Sequence, residues 1–466
     1  MQIFLSIVSK IYALLWGDLF SIPLPGGGSI GISLLVAILI PAGLYFTLRT
    51  RFLPVRLFPE MLRISLEKQN GSGSALSGMQ ALIVSTATRV GMGNMVGVVA
   101  AISAGGAGAV FWMWVTALIG CSTAYVEATL AQITNESDPL YGGLRGGPAY
   151  YIHRFFAKSR VANRYSLIAV LFALSGLLCW CGVSQVISNS VSSAFYNAFQ
   201  VPPIVSTAIL VVLAAIIVLR KNTTVKVLDI IVPIMAVFWF ALSVFTIFKN
   251  AALLPAVFTQ IFEEAFGLRQ VAAGGFGAAL MNGVKRGLFS NEAGSGSAPC
   301  AAAAADVSHP AKAGLFQAFG VFIDTIVICS CTAFIVLLAP QDATAGLEGM
   351  GLLQAAMGHH FGSIGVYFTA ITLWLFSFST FIGILYYARG NVAYLFGDKW
   401  SAQTIYKLVA LAMLFIGGLA TYTFVWDLGD IGIALMTIFN MIVLLPMSGK
   451  AIRALDEYTT LPKDQR

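Results

Sequence analysis

Val90-Gly91-Met92-Gly93-Asn94 lies in the middle of the apolar stretch Gly78–Ala104, and Gly274-Gly275-Phe276-Gly277 lies near the start of a second one, Val271–Val284. Glycine inside a helix costs about 1 kcal/mol relative to alanine. Two glycine clusters inside membrane-length apolar runs therefore point to unwound turns. An unwound turn frees backbone N–H and C=O groups. Lipid does not tolerate them, but around a buried cavity they become ligands. Amides freed at the start of a half-helix favour a carboxylate, and freed carbonyls favour a cation. The plainer reading is that the glycines only let helices pack closely. Two clusters at matching places in the chain favour the breaks.

Matching follows from counting the spans. Eleven apolar runs are long enough to cross a bilayer: Ile30–Leu48, Gly78–Ala104, Val110–Ile133, Ser166–Ser188, Pro203–Leu219, Leu228–Phe248, Val271–Val284, Gly314–Leu338, Gly365–Tyr387, Leu408–Val425 and Ile431–Leu445. The broken runs stand second and seventh, so the last ten spans form two sets of five. Five is odd, and the sets run in opposite directions, as in an inverted-repeat transporter with its site between the repeats. The expected plan is an interfacial segment at 1–29 and an extra first helix at 30–50. The repeats follow at 78–248 and 271–449, and then a cytoplasmic tail at 450–466. Leu288 to Lys312, polar at its start, reads as a soluble loop and short helix on the cytoplasmic side.

Composition agrees. The 466 residues are 58% hydrophobic and 10% charged, against about 25% charged in soluble domains. Mean hydropathy is +0.84. So few charges cannot cover a water-soluble surface, so the chain is all-α and integral to a membrane. Of the 27 Lys and Arg, all but Lys10, Lys249, Arg269 and the intraspan Arg89 fall on one side when the N-terminus is outside. Lys285 and Arg286 are counted there. This asymmetry places the C-terminus in the cytoplasm and explains the net charge of +7 without nucleic acid. No basic n-region precedes the first apolar stretch, so no removable signal peptide is expected. The six cysteines read as small packing residues. No Ser-His or HExxH arrangement supports an enzyme. A channel or sensor would need repeated filter residues or a polar face along several spans.

Three stretches resemble the alanine or glycine:cation symporter family: QALIVSTATRVGMGNMVGVVAA at Gln80–Ala101, Gly146-Gly147-Pro148 with Tyr150-Tyr151, and RGLFSNEAGSGSAP at Arg286–Pro299. The resemblance covers nearly the whole chain. It implies a LeuT-type 5+5 inverted repeat in a bacterial cytoplasmic membrane and symport of a small neutral amino acid with sodium. Protons, or no ion, remain the alternative. It further implies that amides around Gly91, Met92 and Gly93 hold the substrate carboxylate, with Asn94 beside them. Phe276 would line the other break, Gln185 would hydrogen-bond the substrate, and Trp374 would close over it. Sodium would sit between the hydroxyls of Ser379 and Thr380 and the carbonyls of Ala87 and Val90. RGLFSNEAG would help close the cytoplasmic path.

Three charges, Arg89, Glu127 and Asp324, lie inside spans, where a charge needs a role or a partner. The resemblance suggests that Arg89 pairs with Asp324 and replaces one of two ions. Some family members have a small neutral residue in place of Arg89 and a lysine in place of Ala124. Many relatives carry threonine in place of Met92, which leaves the substrate open between alanine and larger side chains such as serine or glutamine.

Overall fold

The structure, a computed structural model, describes residues 2–23, 29–66, 76–77, 89–157, 166–220, 226–268 and 275–462. The first helix, α1 (Gln2–Trp16), leads to a hairpin of β1 (Asp18–Pro23) and β2 (Ser29–Ser33). The hydroxyl of Ser33 caps α2 (Leu34–Arg49) by accepting from Val36 N at 3.3 Å. Two short helices follow, α3 (Leu53–Arg56) and α4 (Phe58–Leu66). Then come α5 (Gly93–Gly105) and α6 (Gly108–Ile133), followed by α7 (Pro148–Ala157) and α8 (Leu167–Phe199). Pro202 precedes α9 (Pro203–Val218), and α10 (Lys226–Lys249) is bent by 75° from α11 (Leu254–Ala265). The second half holds α12 (Gly275–Asn291), the short α13 (Ala298–Ala302) and α14 (Pro310–Leu337). It ends with α15 (Gly349–Phe361), α16 (Ser363–Phe396), α17 (Trp400–Gly417) and α18 (Tyr422–Thr460).

Among the described residues six helices are long and apolar enough to cross a bilayer alone: α6, α8, α14, α16, α17 and α18. The bent α10–α11 pair makes a possible seventh. The other expected spans are shorter helices, α2, α5, α9 and α12. Hydrophobic pattern marks where an apolar helix lies, and its ends are set by local stops. The tenth run, expected to reach Val425, ends at Gly417, and Tyr422 already belongs to α18. The tail expected at 450–466 continues α18 as helix to Thr460, and Tyr458 donates to Glu60 of α4 at 2.5 Å.

The helices sort into two packed groups. In one, α6 packs on α5, α12 and α14. In the other, α8 packs on α9, α16 and α17, and α18 lies along α8. All six cysteines are buried free thiols, as packing residues should be.

Two expectations fail because buried segments were read as loops. Lys285 and Arg286 are not in a loop but inside α12. The Arg286 guanidinium meets both oxygens of Asp430 in α18, at 2.9 and 3.1 Å, and stacks 3.8 Å over the Trp426 ring. Lys285 lies 3.6 Å from the same carboxylate and donates to Tyr12 of α1. Trp16 of α1 donates to Asp430 O, so the N-terminal segment is packed on the bundle as well as lying before it. Second, Leu288–Lys312 is not a solvated loop. Residues 288–305 are all buried, because they form the end of α12, the bend and α13.

Candidate functional site

The first break is where glycine put it. Val90, Gly91 and Met92 lie outside any helix, and Gly93–Gly97 resumes as a π-turn before the chain settles into α-helix. Asn94 staples the break. Its Oδ1 accepts from Gly91 N at 2.9 Å, and its Nδ2 donates to Asp324 Oδ1 at 2.7 Å. Asp324 sits in a second π-helical stretch, Phe322–Cys329 within α14, so the two irregular turns meet at this bond. Such turns cluster at functional sites because they misalign the backbone ladder. The freed N–H of Met92 donates to Thr380 Oγ1 of α16 at 3.2 Å.

Among the described residues no break falls within Gly275–Gly277. Gly274 lies outside the described residues, and from Gly275 onward α12 runs unbroken to Asn291. The chain then turns through Glu292 (φ 58°), Gly294 (φ 99°) and Gly296 (φ 83°) before α13 begins. The real interruption is therefore Glu292–Ser297, inside the RGLFSNEAGSGSAP stretch. Glycine is needed at Gly296 for space as well as for φ, since a Cβ there would lie 2.6 Å from Pro148 Cγ. That proline belongs to the Gly146-Gly147-Pro148 motif, so two of the quoted motifs are neighbours in space.

Glu127 pins this bend. Its Oε2 accepts from Gly294 N at 3.0 Å and its Oε1 from Asn440 Nδ2. The same amide nitrogen donates to Gly294 O at 3.0 Å, and Tyr151 OH donates to Asn440 Oδ1. The intraspan carboxylate thus replaces the partner that the unwound backbone lost.

The two breaks touch. A Cβ on Gly93 would lie 3.4 Å from Ser290 Cα. Between them, at the seam of the two helix groups, is a cavity of about 30 Å³. From one group it is lined by Met92, Gly93, Phe289, Glu292 and Ser297. From the other come Cys179, Trp180, Val183, Thr380, Ile384, Ile433 and Met436.

Of the expected site residues, the structure brings Met92, Gly93 and Thr380 to this cavity. Gly91 and Asn94 stand just behind it and are bonded to each other. Val90 is buried in the break, and Ala87 lies outside the described residues. Ser379 and Thr380 both donate to Phe376 O, at 2.8 and 2.9 Å. That leaves the hydroxyl lone pairs, and not the protons, directed away from their own helix.

Three expected residues are elsewhere. Phe276 is at the far end of α12, edge-on to Trp112 with centroids 5.8 Å apart, and Phe289 holds the place expected of it. Gln185 points its amide at Met413 Sδ, 3.2 Å away, across the α8–α17 contact. Trp374 is half-buried and stacks on Phe378, while Trp180 supplies the aromatic wall. The Arg89–Asp324 pair is also absent. Arg89 is 1% exposed and donates from Nη1 to Gln317 O at 3.1 Å, but Nε and Nη2 have no hydrogen-bond partner among the described residues. Asp324 is satisfied by Asn94, Ser290 and Thr325. The field of Arg89 still reaches Glu127, Glu292 and Asp324.

Sequence reasoning missed Glu292, Ser297, Phe289 and Trp180. A signal was available for the first two: a span as short as Val271–Val284 followed by three glycines among polar residues is a helix that breaks and resumes.

Fold and site together define a membrane transporter with paired helix breaks around a buried cavity. MhsT, solved in complex with L-phenylalanine, superimposes with a TM-score of 0.52 at 14% identity, over 85% of this chain and 92% of that one. The shared fold is the LeuT type. Residues 27–466 match the sodium:alanine symporter family model. The chain is 43% identical to the probable sodium/glutamine symporter GlnT of Bacillus subtilis, over 92% of this chain and 88% of that one. It is 32% identical to the sodium/alanine symporter AgcS of Methanococcus maripaludis, over 99% of each. This chain belongs to the sodium:alanine symporter family, whose members are amino-acid transporters and not enzymes.

Proposed function

We propose that the protein is a sodium-coupled symporter of small neutral amino acids that works by alternating access. The observation that carries this is the single cavity shared by both helix breaks at the seam of two helix groups. An amino acid there would take its carboxylate to the Met92–Gly93 amides beside Thr380, at the start of a half-helix. Met92 N–H would exchange its bond to Thr380 for the ligand. The apolar wall of Val183, Ile384, Ile433 and Met436 suits a short uncharged side chain. Room for about one or two waters means that the walls must part to admit substrate. The seam is where they can do so, one group rocking on the other. Each group would take helices from both repeats, 78–248 and 271–449, with the extra helix at 30–50 beside them.

Sodium is read as co-substrate beside Ser379 and Thr380, whose hydroxyls give their protons to Phe376 O and so can offer oxygen lone pairs to a cation. Three buried carboxylates around one guanidinium also favour a bound cation. The N-terminus would be outside and the C-terminus cytoplasmic in a bacterial cytoplasmic membrane. Removing Lys285 and Arg286 from the loop count leaves that asymmetry in place. The names of the relatives point to alanine and glutamine as the first substrates to try.

The test is uptake of labelled alanine, glycine, serine and glutamine into proteoliposomes with an imposed sodium gradient. Uptake that collapses when choline replaces sodium supports the reading. Equal uptake in choline, driven by a proton gradient, assigns the coupling to protons.

A further inference from the structure

Three carboxyl groups surround the two breaks, and they are not equivalent. Glu127 has both oxygens engaged, by Gly294 N and by Asn440. Asp324 has both engaged, by Asn94, Ser290 and Thr325. Glu292 is different. It is 8% exposed, and it alone of the three lines the cavity. Ser297 and Tyr387 stand beside its carboxylate, yet Oε2 has no hydrogen-bond partner among the described residues. A buried carboxylate oxygen without a partner is costly unless a ligand supplies one.

The backbone makes the same point. Glu292 has φ 58°, a left-handed conformation that a glutamate adopts only under strain. Glycine would hold that turn without strain, as it does at Gly294 and Gly296. A strained position kept by a side chain that opens on a cavity indicates that the side chain is used there.

Met92 and Gly93, the amides of the first break, line the same cavity next to Thr380. The cavity therefore offers N–H donors at one break and a carboxylate at the other. A zwitterion has that same polarity. We infer that the Glu292 carboxylate receives the α-ammonium group of the transported amino acid, while its carboxylate lies at the first break. The site then recognises the amine itself and rejects the corresponding des-amino acid. This rests on the amino-acid transport reading above and adds to it the residue that holds the cationic end.

The experiment measures competition of unlabelled L-alanine and propionate against labelled L-alanine in proteoliposomes at saturating sodium. It uses the wild type, Glu292→Gln and Glu292→Asp. Wild-type uptake with strong preference for alanine over propionate is expected. Glu292→Gln should weaken alanine about 10- to 100-fold, the loss of one charge-assisted bond, and leave the weak competition by propionate unchanged. Glu292→Asp keeps the charge on a shorter stem. It should weaken alanine several-fold, again with propionate unchanged, and it decides the matter if the glutamine variant does not fold.

Alanine affinity kept within about twofold in Glu292→Gln overturns the inference. So does parallel weakening of both competitors in Glu292→Asp, which marks a structural role. A glutamine variant with normal alanine affinity but no sodium activation also overturns it and gives the carboxylate to the coupling ion. If the wild type itself takes up no amino acid, the transport reading is what fails, and the two failures are told apart by that first arm.

Discussion

The two helix breaks do similar work with different means. The first is short, Val90 to Met92, and closes on itself: Asn94, three residues from Gly91, returns its side-chain oxygen to the free amide. The second is longer, Glu292 to Ser297, and turns through three left-handed residues. Asn291 and Ser295 bond part of its backbone from within, at Ala293 N and Ser297 N, but they leave Gly294 to other helices. The bend borrows Glu127 from α6 and Asn440 from α18. The first break thus adds Thr380 of α16 and Asp324 of α14 to a staple from its own sequence, and the second holds Gly294 wholly by two distant helices. The second break also ties α18 to the α6 group, as the Arg286–Asp430 pair does from α12.

Changes at the junction of the two breaks should cost most. Asp324→Ala removes the acceptor shared by Asn94, Ser290 and Thr325 and leaves buried donors unpaired. A loss of about 3–5 kcal/mol is expected, with no uptake. Thermal melting in detergent and alanine uptake would measure it. Adding Arg89→Ala should deepen the loss, because the two side chains are not bonded to each other. Recovery of uptake in that double variant would restore the direct pair.

Glu127→Ala strips the second break of its pin but leaves the first intact. About 1.5–3 kcal/mol should be lost, with uptake reduced more than binding. A stability loss as large as that of Asp324→Ala would mean that the breaks fold as one unit, and the contrast drawn above would fall.

Thr380→Val takes the acceptor from Met92 N–H and should cost about 1 kcal/mol. Half-saturating sodium should rise about tenfold if the hydroxyl also meets the ion, and Thr380→Ser should keep the wild-type value. An unchanged sodium dependence in the valine variant would move the ion elsewhere.

The smallest effect separates the two ends of α12. Phe276→Ala loses its contact with Trp112 but should leave alanine affinity within about twofold. Phe289→Ala, on the cavity wall, should weaken it about tenfold. The reverse order would return the site to the Gly274–Gly277 end.

Much of this was legible before any coordinates. Apolar runs gave the helices, because hydrophobic length is a local property. The first break was legible for the same reason: two glycines in five residues sit where the chain unwinds. The second was misplaced because the glycines at the start of α12 and those at its end are alike in sequence. What separates them is what they pack on. Glu127 illustrates the limit as well. A charge in a span announces that it has a partner, but nothing in its sequence neighbourhood names a backbone amide 167 residues away. Lys285 and Arg286 were read as loop charge because Asp430 is 144 residues beyond Arg286 in the chain.

By itself the sequence determined that this chain dissolves in lipid, that its helices come in two sets, and that the first of the breaks falls within Val90–Asn94. These depend on composition and on neighbours in the chain. Only the tertiary structure decided that Glu292, Phe289 and Trp180 share a cavity with Met92 and Thr380, and that Arg89 and Asp324 do not pair. Those facts depend on which surfaces meet when helices far apart in sequence pack together, and a carboxylate is ligand, pin or staple according to what it meets.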